Sequence, residues 1–184
     1  MTTLAAICAR MGSTRFPGKM LTDINGMPLV WHVARRALAM QTVDRVVLAT
    51  PHVWDGPEDD VVGRLQHLAR IYDADIIVRI CGDSPLWDVG EADRLVNLLV
   101  TTGQDYVAYH RYTETVFCGV DIMTRWTLEN MLPGEHANPA LGGNDLFWTA
   151  RTRPPWHLRG TERLSIDTPE DLERLRGRIE DEAI

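Results

Sequence analysis

Positive charge is scarce in this chain: 19 Lys and Arg stand against 26 Asp and Glu, for a net charge of −7 over 184 residues. Proteins that hold nucleic acid or anionic membranes by general electrostatics need a basic face, so the charge balance argues against both roles. Long apolar runs are also missing, and no stretch approaches the roughly 20 residues that span a bilayer. The N-terminus lacks a leader pattern, since Met1-Thr2-Thr3 runs straight into a short strand-like segment. Cysteine is sparse. Cys8, Cys81 and Cys118 are an odd number with no CxxC spacing, which argues against zinc and a disulfide framework and for reduced thiols in a cytoplasmic setting. No repeat or low-complexity tract occurs. Nor does a GxxxxGK[ST] phosphate loop, because Met20 follows Lys19.

What is present is ordinary globular composition, 45% apolar and 24% charged, in a length suited to one domain over 1–184. Apolar runs at Leu4–Ala9, Arg45–Thr50, Asp75–Ile80 and 105–109 read as strands. Asn25-Gly26 is a turn, and Pro28 opens a helix over 28–40 in which Leu29, Val33, Ala37 and Met40 recur at helical spacing. Glu58-Asp59-Asp60 begins a second helix, with Val61, Leu65, Leu68 and Tyr72 as its apolar stripe. A third helix covers 90–101 and a short one Thr124–Leu132. The segment 133–160 is rich in Pro, Gly, Asn and Trp and carries no regular pattern. Arg163–Asp167 reads as a last strand, and Thr168, Pro169 and Asp171 then start a capped helix. Strands alternating with helices predict an α/β fold, a mostly parallel sheet covered on both faces. Ligands of such sheets bind outside the carboxyl ends of the strands.

Three segments at such ends carry candidate chemistry. The loop ARMGSTRFPGKML packs Arg10, Arg15 and Lys19 among Gly12, Ser13, Thr14, Pro17 and Gly18. Arginine pairs with phosphate oxygens through two bonds and lysine acts as a mobile charge, so the set suits a triphosphate. A solvated basic loop is the competing reading. In ICGDSPL, Asp83 follows a strand beside Gly82, placed either to hold a metal or ribose hydroxyl or simply to cap its turn. In LSIDTPEDL, Asp167 ends a strand in the same way. Two carboxylates at one sheet edge make a Mg²⁺ site, since Mg²⁺ takes one or two carboxylates plus phosphates and water. The alternative is that Asp167 helps to cap the following helix.

The segments ARMGSTRFPGKML, EDDVVGR, ADIIVRICGDSPL and LSIDTPEDLERL, in this order, resemble the motif set of the CMP-sugar cytidylyltransferases. The pattern is similar to the spore coat polysaccharide biosynthesis protein F group, akin to CMP-Kdo and CMP-acylneuraminate synthetases. It covers 4–86 and 163–176 well, and 105–136 weakly. The resemblance implies a three-layer, Rossmann-like nucleotide-diphospho-sugar transferase fold, with CTP as donor, a small sugar as acceptor and a homodimer. Arg10 and Lys19 would grip the triphosphate, with Gly12, Ser13 and Arg15 supporting the loop, and Arg79 and Gly82 beside the nucleotide. Asp83 and Asp167 would hold Mg²⁺, and Asp121 in FCGVDI would lie near the sugar. Arg10, Lys19 and Asp83 are the catalytic set. The implied role is cytidylyl transfer for surface polysaccharide synthesis. Use of another nucleoside triphosphate and a trimmed, non-catalytic binding paralogue are the alternatives.

The chain departs from that pattern in three places. Only Pro51 and His52 separate Thr50 from Val53, where the family has a helix and an edge strand, so one βα piece is missing. Gly134 precedes Glu135-His136 where relatives have arginine, which weakens His136 as a site residue. The segment 133–160 is short for the family's sugar-binding and dimer-forming portion. Trp126, ahead of that segment, and Trp148 and Trp156 within it would line a sugar site or a subunit contact, or pack in the core.

Overall fold

Apolar runs short enough for a sheet layer become its strands, and segments with 3.6-residue spacing become the covering helices. The structure, a computed structural model, describes residues 1–10, 12–109, 115–117, 119–131 and 149–181. Its elements are β1 (Thr3–Cys8), β2 (Asp23–Ile24), β3 (Met27–Pro28), α1 (Leu29–Leu38), β4 (Arg45–Ala49), α2 (Val61–Ile71) and β5 (Ile76–Cys81). They continue with α3 (Val89–Thr102), β6 (Tyr106–Tyr109), β7 (Val120–Thr124), α4 (Arg125–Glu129), β8 (Thr149–Thr152) and α5 (Pro169–Asp181). The main sheet has the order β4-β1-β5-β7-β6-β8. β1 pairs in parallel with β4 and β5, β6 with β8, while β7 runs antiparallel between β5 and β6.

Both faces of the sheet are covered, which is why its central strands are largely apolar, the charged exceptions Arg79 on β5 and Asp121 on β7 being paired with each other. Ala5, Ile7, Val78 and Ile80 point to one side, against Val33 and Ala37 of α1 and Leu95 and Leu99 of α3. Leu4, Ala6 and Ile77 point to the other, against Leu65 and Leu68 of α2 and Leu128 of α4. A smaller cluster under α5 joins Leu172, Leu175 and Ile179 to Ile24, Leu29, Leu164 and Ile166. The three-layer α/β arrangement is the expected one. Among the described residues no helix is long and apolar enough to cross a membrane.

Several boundaries differ from the sequence reading, each for a local reason. Pro28 does not open α1. It stands just ahead of it in a two-residue hairpin, because Asn25 and Gly26 both take positive φ (52° and 78°) and turn the chain back. Glu58-Asp59-Asp60 precedes α2 instead of starting it, and Asp60 caps the helix by accepting from Gly63 N at 2.8 Å. The stretch around Asp121 is itself a strand, β7. Arg163–Asp167 is extended but outside the ladder. Leu164 and Ile166 are drawn under α5, and Ile166 N donates to Asp83 O at 2.8 Å. The tryptophans at 126 and 156 are exposed and not core, whereas Trp87 is fully buried. Trp148, Gly134, Glu135 and His136 lie outside the described residues, as does the rest of 132–148.

The shortened connection is visible directly. Among the described residues β4 is an edge strand with nothing beyond it, and 50–60 holds only a 3-10 turn at Pro51–Val53. Arg64 closes this loop from below. Its buried guanidinium, 2% exposed, donates to Ala49 O at 3.0 Å and to Glu58 O at 2.6 Å, tying the end of β4 to the residues before α2.

Candidate active site

β1 and β5 end side by side, with Cys8 opposite Cys81, so the loops that follow them emerge together. Gly82 N donates to Cys8 O at 3.0 Å, and a Cβ on Gly82 would stand 2.8 Å from that same oxygen. Only glycine fits this close approach. In the basic loop, Ser13 Oγ accepts from Phe16 N at 3.3 Å, and Gly18 at φ 71° turns the chain into a 3-10 turn at Lys19–Leu21. That turn aims Lys19 inward, with 5% of the residue exposed.

Lys19 Nζ is the focus of the site. It donates to Asp83 Oδ2 at 2.7 Å and Ile166 O at 2.8 Å, and lies 3.4 Å from Asp167 Oδ1. Asp83 and Asp167, 84 residues apart in sequence, are thereby joined across one ammonium. Arg15 Nη2 reaches Asp167 Oδ1 at 3.0 Å, and Arg163 pairs with Asp167 Oδ2. Asp167 is held from behind by the start of α5. Asp171 Oδ2 accepts from Asp167 N and Thr168 N, both at 3.0 Å, and Thr168 Oγ1 accepts from Asp171 N at 3.3 Å. Partial burial works against the charge on Asp171, but these hydrogen bonds and Arg174 outweigh it and hold the carboxyl below its ordinary value.

A second cluster sits one layer deeper. Arg79 on β5 faces Asp121 on β7 across the antiparallel pair and is bonded to Oδ2, while Tyr106 OH donates to Oδ1 at 3.0 Å. Burial opposes the Arg79 charge, but the neighbouring Cys81, Asp121 and Cys8 outweigh it and raise its value further. Burial, and then Asp121, raise Tyr106 well above a free phenol. Burial likewise pushes the Cys81 thiol up to about 12 and raises Cys8, with Arg79 opposing in both cases. Both thiols are protonated at neutral pH and are poor nucleophiles there.

The structure thus brings Arg15, Lys19, Gly82, Asp83 and Asp167 to one point and sets Arg79 against Asp121 beneath it. Ser13 shapes the loop, and Arg10 is exposed at its start. Gly12 lies under the Glu58 side chain, where a Cβ would meet Oε1 at 2.8 Å. Arg163, Tyr106 and Glu58 escaped the sequence reading. Arg163 and Tyr106 looked like ordinary members of strands, and Glu58 like the acidic start of a helix. Beside the basic loop opens a cavity of about 480 Å³ bordered by Gly12, Met20, Val30, Leu48, His52 and Glu58, among others.

The acid pair fits Mg²⁺ in donor type. Hard carboxylate oxygens from Asp83 and Asp167 already converge on one cation, and Asp83 Oδ1 meets only the Ser84 hydroxyl at 3.5 Å among the described contacts.

A cytidylyltransferase family model matches residues 4–127. The 3-deoxy-manno-octulosonate cytidylyltransferase of Trichlorobacter lovleyi is 41% identical over 103 residues, covering 48% of this chain and 41% of that enzyme. The chain therefore matches less than half the length of that curated relative. A solved cytidylyltransferase from Leptospira borgpetersenii superposes with a TM-score of 0.84 at 27% identity, covering 98% of this chain and 87% of that one. A CMP:2-keto-3-deoxy-manno-octonic acid synthetase solved with CTP shares the fold at a TM-score of 0.70 and 20% identity, covering 99% of this chain and 100% of that one. With two thirds of its length inside the family model and its acid pair and basic loop meeting at the sheet edge, the chain belongs to the cytidylyltransferases.

Proposed function

We propose that this protein transfers CMP from CTP to a hydroxyl of a small sugar, releasing pyrophosphate, in a Mg²⁺-dependent reaction that activates the sugar for surface-glycan assembly. The observation that carries this reading is Lys19 Nζ joining Asp83 and Asp167 beneath the basic loop. The family match and the CTP held by the octonic acid synthetase support the donor.

The chemistry follows from charge. The sugar hydroxyl attacks the α-phosphorus in line, its proton leaves to solvent, and the bond to the pyrophosphate oxygen breaks. Arg10 and Arg15 are exposed on the loop; Arg10 would meet the β- and γ-phosphates directly and Arg15 by exchanging its bond to Asp167 for one to phosphate, stabilising the charge that the leaving pyrophosphate gathers. Lys19 serves the same end from below and keeps the two carboxylates at bonding distance until substrate arrives. Asp83 and Asp167 would hold the Mg²⁺, which supplies further charge neutralisation at the triphosphate.

The test is pyrophosphate release from CTP against a panel of acidic and neutral sugars, with and without Mg²⁺, on wild type and Asp83→Asn. Turnover with at least one sugar, lowered about 100-fold or more in the variant, is the expected result. CTP binding with no turnover across the panel would overturn transfer and favour the non-catalytic binding role.

A further inference from the structure

We propose that Cys8 and Cys81 form a two-coordinate site for a soft monovalent metal ion of the copper(I) type, at the base of the two loops that carry Lys19 and Asp83. The site differs from the Asp83–Asp167 pair in place and in donor chemistry, and it stands whether or not the chain transfers CMP.

The sheet brings the two thiols together. β1 and β5 run in parallel with Cys8 directly opposite Cys81. Residues opposed in this way put their side chains on the same face, here the one that carries Leu4, Ala6 and Ile77. Both cysteines are free and half-buried. Facing residues on adjacent strands stand about 4.7–4.9 Å apart, whereas a disulfide holds its Cβ atoms at about 3.8 Å, so closing one would draw the strands together by about 1 Å. The strand ends resist that movement, because Gly82 N donates to Cys8 O at 3.0 Å and Cys81 N to Gly119 O at 2.6 Å. A metal–thiolate bond of about 2.3 Å, as in zinc sites, gives two sulfurs in line a span of about 4.6 Å, which is the spacing the sheet provides.

The donor set selects the ion. Thiolate is a soft ligand that favours copper(I) and zinc. Zinc takes four ligands, and among the described residues no group of three or more His, Cys, Asp and Glu could hold a metal. Two sulfurs alone suit a closed-shell monovalent ion, which accepts two ligands in line.

Charge is provided for as well. Seating the ion sends both thiol protons to solvent, M⁺ + 2 RSH → [RS–M–SR]⁻ + 2 H⁺, with no change of oxidation state. One negative charge is left at a half-buried place. Arg79, two residues before Cys81 and on the same face, lies near both thiols and favours their anionic forms. Its Nη1 is committed to Asp121, but its Nε is buried and has no hydrogen-bond partner among the described residues. An unmade hydrogen bond on a buried cation is costly, and a thiolate sulfur is an acceptor suited to it.

The experiment is titration of silver(I), a redox-stable stand-in for copper(I), into the full chain in chloride-free buffer. Cys118→Ser is built in throughout, so that every remaining thiol belongs to the pair. Calorimetry and the ultraviolet charge-transfer band of silver thiolate are followed together. One ion per chain is expected, with affinity lowered about 100-fold or more when Cys8→Ser or Cys81→Ser is added, because the second sulfur acts at high effective concentration. Excess Mg²⁺ is expected to leave the titration unchanged. Melting curves give a second reading: silver is expected to raise the melting temperature of the two-thiol protein and to leave Cys8→Ala and Cys81→Ala proteins unmoved. Two independent ions per chain, equal affinity in the single-thiol variants, or the absence of a thiolate band would overturn the assignment.

Discussion

Lys19 is the only lysine in the chain, and replacing it by methionine is the sharpest probe of the site. The thioether chain fills the same channel, so the change removes charge with little loss of volume. What remains is two carboxylates, 25% and 11% exposed at their side chains, that have lost their shared ammonium. Removing one partner of a buried ion pair costs about 3–5 kcal/mol. Asp167 keeps Arg15 and Arg163, and Asp83 keeps some contact with water, so the lower end, about 3 kcal/mol, is expected here. In a chain of this size about 1 kcal/mol moves the melting temperature by roughly 2–4 °C, so the loss is about 6–12 °C by calorimetry or circular dichroism. Lys19→Met/Asp83→Asn is expected to regain much of it, with a coupling of at least about 1.5 kcal/mol in the double-mutant cycle. Lys19→Arg is not expected to rescue, because a planar guanidinium does not fit where a compact ammonium meets three oxygens. A Lys19→Met protein melting within about 2 °C of wild type, or a cycle with no coupling, would refute the view that this ammonium holds the two ends of the site together.

Gly82→Ala sets a Cβ 2.8 Å from Cys8 O and 3.1 Å from Met20 Sδ, and the backbone oxygen cannot move aside. A loss of about 1–3 kcal/mol in urea unfolding is expected, together with weaker CTP binding, because Asp83 and Lys19 both adjoin the displaced turn. The Cys81 thiol, raised by burial from 9.0 to about 12, gives a pH signature. The unfolded chain ionises it near pH 9 and the folded one only near 12, so its stabilising effect is complete below pH 9 and is lost as pH rises across that window. Cys81→Ala is expected to flatten the fall of melting temperature between pH 9 and 11, and an unchanged slope would count against burial as the cause. Asp171→Ala removes the reciprocal half of the capping box at the start of α5, the acceptor for Asp167 N and Thr168 N, at about 1 kcal/mol of stability. Since the Asp171 carboxyl is held below its ordinary value, its contribution is present above pH 4 and disappears on acidification. The variant and wild type should therefore converge in melting temperature at low pH.

Much of this protein was legible from local pattern. The strands at β1, β4 and β5 and the helices α1, α2 and α3 follow from apolar runs and helical spacing, because both depend on neighbours a few residues away. The basic loop stood out by composition against an acidic chain, and Asp83 and Asp167 by their place after apolar segments. Tertiary structure decided the rest. That Lys19 points inward, between two acids rather than out to solvent, depends on Gly18 turning the chain and on Ile166 bonding to Asp83, contacts from opposite ends of the sequence. Arg163, Tyr106 and Glu58 entered the site through packing alone: beneath α5, across β7, and over Gly12 through Arg64. Local order is written in short-range spacing, whereas the meeting of charges is set by which strands lie side by side, and only the folded sheet determines that.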